Sequence, residues 1–299
     1  HKKELFERAK VGFERATGLI TTVSPNAYAK HYYSAGTAQE RLDDFHALIA
    51  DPTIKAIIFG AGGDTASDLL PHLDYELIKN NPKIITGISD ATTLLTAITA
   101  KTGLITFLGL EFLDFADNEM DYETAALQQA WFDAAAHEIL ANKNWKELQG
   151  NSTTYKNWQT IRGGLASGQF FGGNSESYIQ LLDTPYELRI PNGILFLETY
   201  KLPKKQIHKT LMQLKIRGVL DHISGLVIGY CLESDKPDVV GNDQLIAETI
   251  LEVTSEYNFP IMQIGEIGHY VENFMQPIGA QVKMDATNLK FEITENVVA

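Results

Sequence analysis

Cysteine is almost missing from this sequence: Cys231 stands alone among 299 residues. One thiol excludes any disulfide within the chain and any thiolate metal cluster. Such usage fits a reducing compartment. No apolar run approaches the roughly 18 residues that cross a bilayer. The start, His1-Lys2-Lys3-Glu4-Leu5-Phe6, is charged and has no apolar signal core behind it. Basic residues are also in short supply. Lys and Arg number 25 against 38 Asp and Glu, giving a net charge of −13 and a pI near 5.0. A nucleic-acid binder normally carries a basic footprint, so nucleic acid is not expected as the main partner. Anionic membrane surfaces are disfavoured on the same ground. What the chain does have is 44% hydrophobic residues, enough for real cores. At roughly 150 residues per domain its length suggests two. These features lead to the expectation of an acidic, cytoplasmic globular protein.

The first half alternates helix and strand. Leu5, Phe6, Ala9, Phe13 and Ala16 share one helical face, and Gly18 stops the run. A second helix is expected over Thr37 to Ala50, ahead of Asp51-Pro52. Ala56-Ile57-Ile58-Phe59 then reads as a buried parallel strand running into Gly60-Ala61-Gly62-Gly63. Helix over Ala66 to Lys79, strand over Lys83 to Gly87, helix over Asp90 to Lys101 and strand over Leu104 to Phe107 follow. That alternation implies an α/β unit with a parallel sheet. Met120 to Leu140 reads as one long amphipathic helix. A polar stretch dotted with aromatics, residues 142–160, is the expected linker between a first domain over 1–141 and a second over 161–299. The second half shows short strand-like runs at Gly193 to Glu198, Gly225 to Gly229 and Ala280 to Met284. Helices are expected there at Lys204 to Ile216 and Asp243 to Tyr257.

Three places could carry chemistry. The loop Gly60-Ala61-Gly62-Gly63-Asp64-Thr65 fails the dinucleotide fingerprint, because Thr65 stands where the third glycine belongs, and it lacks a phosphate-loop ending. It is either a tight turn or a source of backbone N–H groups for an anion. Ser89, in Gly87-Ile88-Ser89-Asp90-Ala91-Thr92, lies between an expected strand and an expected helix. A nucleophile there gains the helix dipole and the Asp90 N–H as an oxyanion donor. The alternative is that Ser89 or Asp90 caps the helix. Among eight histidines, His46, His72, His137 and His208 fall in or beside charged helical stretches. His269, in Gly265-Glu266-Ile267-Gly268-His269-Tyr270, sits in a loop, where catalytic groups concentrate. Glu198 ends the apolar run Ile194-Leu195-Phe196-Leu197. A carboxylate at the end of a buried strand needs a partner unless the strand has surfaced. No His-Glu-x-x-His or paired His/Cys spacing exists, so no metal site is expected.

Gly62-Gly63, Leu69-Leu70-Pro71, Leu73-Asp74-Tyr75, Asn81-Pro82-Lys83 and Gly87-Ile88-Ser89-Asp90-Ala91-Thr92 resemble, in order, motifs of the LD-carboxypeptidase family of serine peptidases. So do Gly172-Gly173-Asn174, Ile194 to Glu198, and Gly268-His269 followed by Pro277-Ile278-Gly279. Ala100 to Phe107, Pro277 to Asp285 and Gly62-Gly63-Asp64 are closest in look to its microcin C immunity branch. The resemblance implies a Rossmann-like first domain, a smaller, mostly β second domain and a site between them. It further implies a homodimer and no metal or organic cofactor. Carried over by motif, Ser89 is the nucleophile, His269 the general base and Glu198 the residue that orients it. Asp90 and one of Gly62 or Gly63 supply the oxyanion hole. Family members begin with a strand ahead of the first helix, and this sequence starts inside that helix. Losing a central strand would expose apolar surface, so the native protein is expected to carry it. Where relatives usually have Gly-Pro, this chain has Gly109-Leu110-Glu111. Glu111 either lines the pocket and alters substrate choice or lies on the surface.

The expectation is therefore a serine-type amide hydrolase. Its substrate is either a murein tetrapeptide losing its terminal D-alanine or an aminoacyl- or peptidyl-nucleotide of the microcin C type. Trp145 and Trp158 could offer an adenine platform, or pack between the domains. A non-catalytic binding protein on the same scaffold is the alternative.

Overall fold

The computed structural model describes residues 2–117, 119–133, 135–148, 157–231 and 245–298. The chain opens with α1 (Lys2–Thr17), ended by Gly18 in the left-handed region. Helix α2 (Ala38–Ala50) follows, started by a capping box in which Thr37 and Glu40 satisfy each other's backbone N–H groups. Then come β1 (Ala56–Ile58), a 3-10 turn over Ala66–His72, α3 (Tyr75–Asn80), β2 (Ile84–Gly87), α4 (Ala91–Thr102) and β3 (Thr106–Leu108). The expected helix over Ala66 to Lys79 is thus two pieces. Asp74 caps the second, accepting from the Leu77 N–H.

The long helix expected over Met120 to Leu140 does not form. Helix α5 covers Asp121–Gln128, a π-helical turn follows over Gln129–Asp133, and the chain then extends into β4 (His137–Ile139). His137 is therefore in a strand, not a helix. The competing influence is non-local: β4 pairs antiparallel with a strand more than 150 residues later, and such pairing overrides a local helical pattern.

The second region holds β5 (Trp158–Arg162), β6 (Leu165–Asn174), α6 (Ser175–Ile179), β7 (Ile194–Thr199), α7 (Lys204–Ile216) and β8 (Gly225–Cys231). It continues through α8 (Ile246–Val253), β9 (Ile261–Ile264), β10 (Gln276–Ile278), β11 (Gln281–Asp285) and β12 (Lys290–Ile293). The expected linker over 142–160 contains the start of β5, while its part 149–156 lies outside the described residues. The first residues of the helix expected from Asp243 lie outside them as well.

Among the described residues the strands form two sheets, β1-β2-β3-β10 and β4-β12-β11-β6-β7-β8-β9-β5. Strands β1, β2 and β3 are parallel, as are β6, β7, β8 and β9. The fold is thus mixed α/β with a parallel sheet and a second, mostly strand region. Each half lends the other a strand. β10 runs antiparallel to β3 in the first sheet, and β4 closes one edge of the second.

Helix α4 lies at the centre, packing on β2 and β3 and also on β6 and α6. Leu94, Leu95, Ala97 and Ile98 are buried, and so are Thr92, Thr93, Thr96 and Thr99. A helix buried all round is held between two layers, which explains its weak amphipathic signature. Every residue of β7 and β8 is buried, as expected for strands covered on both faces.

Candidate active site

The C-terminal ends of β1, β2 and β3 point to one side, where ligands bind in open parallel sheets. Gly62 and Gly63 follow β1, Ser89 follows β2 and Glu111 follows β3. Ser89 has φ +61°, a left-handed conformation that costs a non-glycine residue about 1–3 kcal/mol and clusters at active sites. The turn is tight because a β-carbon on Gly62 would lie 2.6 Å from Ser89 Cβ and 2.9 Å from its Oγ. Only a glycine lets that loop approach the hydroxyl so closely. A β-carbon on Gly63 would instead come no nearer than 3.8 Å, to Asp90 Oδ2.

Asp90 stands at the N-cap of α4, yet its side chain makes no cap hydrogen bond. Its Oδ2 accepts the Ala66 N–H at 2.7 Å, tying the turn after β1 to the Ser89 turn. Burial raises the Asp90 carboxyl above its usual range, opposed by N–H donors from Ala66 and Thr65.

On the opposite side, Glu198 is 1% exposed. The β7–β8 register shifts between Leu197 and Thr199, and such irregularities re-aim a side chain. Glu198 Oε2 lies 2.8 Å from His269 Nδ1. Its other oxygen, Oε1, accepts from Asn174 Nδ2 at 2.8 Å. Asn174 is the register partner of Glu198 across β6 and β7. The Asn174 N–H donates in turn to Thr92 Oγ1 at 3.1 Å. One chain of hydrogen bonds thus runs from the helix behind Ser89, through Thr92, Asn174 and Glu198, to His269. The pairing also makes Nδ1 the protonated ring nitrogen and leaves Nε2 as the acceptor.

His269 is itself buried. Burial pulls its pKa down, but the Glu198 carboxylate, by charge and by hydrogen bond, outweighs this with help from Glu111 and Asp114, and the imidazole ends above its ordinary value. The loop carrying it is fastened on several sides. Asn273 receives the Gly268 N–H at 2.8 Å and donates to the Gly268 and Val271 carbonyls. Tyr200 packs its ring 4.7 Å from the His269 ring, and its hydroxyl is 3.4 Å from that of Tyr270.

Trp145 and Trp158 lie along the chain leading to His269. Trp145 Nε1 donates to the Gly265 carbonyl at 2.9 Å, and its ring meets Tyr230 edge-on. Trp158 Nε1 donates to Glu266 Oε2 at 2.6 Å. Glu266, fully buried, also accepts from Asn157 Nδ2 and the Asn142 N–H. Glu111 is half-buried, with Oε2 buried and unpartnered among the described residues. Burial raises its carboxyl, opposed by His269 and reinforced by Glu198. Beside it burial and Glu111 push Asp114 up to about 7.

The family model of the LD-carboxypeptidase N-terminal domain matches residues 1–109, and that of the LD-carboxypeptidase C-terminal domain matches residues 167–284. The chain belongs to the LD-carboxypeptidase family. As a member it is a peptidase. It is 30% identical to the Microcin C7 self-immunity protein of Escherichia coli over 96% of this chain and 86% of that protein. It is 28% identical to the probable murein peptide carboxypeptidase of Bacillus subtilis, over 91% and 82%. Its fold matches the solved Microcin C7 self-immunity protein in complex with aspartyl sulfamoyl adenosine. That match has a TM-score of 0.89 at 28% identity, covering 99% and 92% of the two chains. No helix among the described residues of this family member is long and apolar enough to cross a membrane. They hold no group of three or more His, Cys, Asp or Glu side chains placed to bind a metal ion.

Asn174, although it stands in Gly172-Gly173-Asn174, gives no sign in the sequence of its bond to Glu198. Its role depends on strand register, which no local pattern reveals. Tyr200 and Asn273 gave no signal at all.

Proposed function

We propose that this peptidase is a serine hydrolase using Ser89, His269 and Glu198. The observation that carries the reading is the buried 2.8 Å pairing of Glu198 with His269 Nδ1, which leaves Nε2 free to act as a base. Ser89 Oγ attacks the substrate carbonyl while His269 Nε2 takes its proton. The imidazolium is held by Glu198 and then gives the proton to the leaving amine. Water, activated by the same nitrogen, releases the acyl group. The Asp90 N–H at the start of α4 and the Gly62 N–H hold the oxyanion. Gly62 is preferred to Gly63 because it is the glycine that closes on Ser89. The site lies in the cleft between the N-terminal region and residues 161–299, and a homodimer belongs to the same reading. Trp145 and Trp158 act here chiefly as supports of the His269 loop, since both indole N–H groups are bound to it.

The substrate is a small amide of one of two kinds: a murein tetrapeptide losing D-alanine, or an aminoacyl- or peptidyl-nucleotide of the microcin C type. Relatives of both kinds support this pair. The test incubates the protein and its Ser89→Ala variant with a murein tetrapeptide and with an aminoacyl-sulfamoyl adenosine, read by mass spectrometry. D-alanine release lost in the variant makes this a wall-peptide carboxypeptidase. Ser89-dependent cleavage of the adenosine conjugate alone makes it an immunity-type hydrolase. Full activity in Ser89→Ala overturns the nucleophile assignment.

A further inference from the structure

Glu111 follows β3 at the same end of the sheet as the Ser89 turn. Its loop is fastened there by the Gly109 N–H, which donates to the Gly87 carbonyl at 3.0 Å, two residues before Ser89. Among the described residues, the charged groups that act on Glu111 are His269 and Glu198, and it acts in turn on Asp114. None of these is a lysine or an arginine. His269 cannot serve as its lasting partner, because Nδ1 is taken by Glu198 and Nε2 is needed by the nucleophile. Glu111 Oε2 is thus buried without a hydrogen-bond partner among the described residues, an arrangement that is unfavourable unless a donor arrives from outside.

We infer that Glu111 is the residue by which this site selects substrates carrying a primary ammonium group near the scissile carbonyl. The inference rests on the serine-hydrolase reading above and specifies its substrate chemistry. An ammonium offers three N–H donors and a full positive charge, and so satisfies the orphaned oxygen. Each of the two substrate kinds has a form that carries such a group. An aminoacyl-nucleotide has its α-ammonium one carbon from the scissile carbonyl. A murein tetrapeptide has one at the end of its diaminopimelate side chain. The shared chemistry is the ammonium; the two substrates differ in its reach.

The test uses the Ser89→Ala protein, which keeps Glu111, and measures equilibrium binding by calorimetry. The probes are alanyl-sulfamoyl adenosine and its N-acetyl derivative, and a diaminopimelate tetrapeptide and the same peptide with the side-chain amine acetylated. In one pair the free amine is expected to bind about 10- to 100-fold more tightly than the acetylated form, the range for a hydrogen bond to a charged group. The pair that shows it identifies the source of the ammonium. Adding Glu111→Gln should bring that ratio to within about threefold. Equal binding within both pairs, binding by none of the four probes, or a preference that survives a folded Glu111→Gln overturns the inference. The acetylation comparison stands even where Glu111→Gln does not fold. Hydrolysis by the unaltered chain that persists in Ser89→Ala sinks the serine reading instead, which keeps the two failures distinguishable.

Discussion

Replacing Glu198 by glutamine tests the hydrogen-bond chain that orients His269. The new side chain has one acceptor and one donor end, and the site decides which faces where. Asn174 Nδ2 now donates to Oε1 at 2.8 Å. Glutamine keeps that bond only by turning its own NH2 toward His269 Nδ1. The ring must then carry its proton on Nε2, the nitrogen that should accept from Ser89. The opposite flip restores the correct tautomer but sets two NH2 groups against each other in a buried space. Glu198→Gln is therefore expected to lower kcat on the order of 10⁴-fold, the effect of forcing the wrong tautomer in a serine triad. The acid limb of its pH–rate profile should also move to lower pH, because the carboxylate that raises the His269 pKa is gone.

A double variant, Glu198→Gln with Asn174→Asp, offers the glutamine NH2 an acceptor and lets its oxygen face Nδ1–H. The Asn174 oxygen that receives the Ser177 N–H at 3.2 Å has a counterpart in Asp, so α6 keeps its cap. A regained charge-assisted bond of about 1.5–3 kcal/mol corresponds to roughly 10- to 100-fold in rate. Hydrolysis assays with nitrogen NMR of the His269 ring follow both the rate and the tautomer. Glu198→Gln retaining a tenth or more of the parent rate refutes the reasoning. So does a folded double variant no faster than the single one.

Two further outcomes follow from the same geometry. Gly62→Ala places a β-carbon 2.6 Å from Ser89 Cβ, so the Ser89 turn must shift, and on the serine-hydrolase reading kcat is expected to fall on the order of 10²-fold; unchanged kcat contradicts the close approach. Asp114, raised by burial and by Glu111 to about 7, holds its proton more tightly folded than unfolded. Its contribution to stability is therefore complete below its ordinary pKa and disappears as pH rises through about 7. Asp114→Asn cannot ionise, so thermal denaturation should show it gaining on the parent protein between about pH 4 and pH 8, by a few kcal/mol. A difference that stays constant over that range rules this out.

Much of the molecule was legible in order along the chain. β1, β2, β7 and β8 announce themselves as short apolar runs, because strands covered on both faces have no polar side to show. Ser89, Glu198 and His269 stand out as candidates because each is at a strand end or in a loop within a short motif. The region after Met120 was misread because its helical pattern is real for only two turns. Past them, β12 offers an unpaired edge, and pairing with that edge wins for His137–Ile139. Local sequence determined most of the strands and helices and set Ser89, Glu198 and His269 in short motifs as candidates. Tertiary structure alone decided that Asn174 stands beside Glu198, that Thr92 links the helix behind Ser89 to the far side of the site, and that Glu111 keeps a buried oxygen without a partner among the described residues. Those facts arise from strand register and from the meeting of segments more than 20 residues apart, contacts that exist only once both sheets have closed around α4.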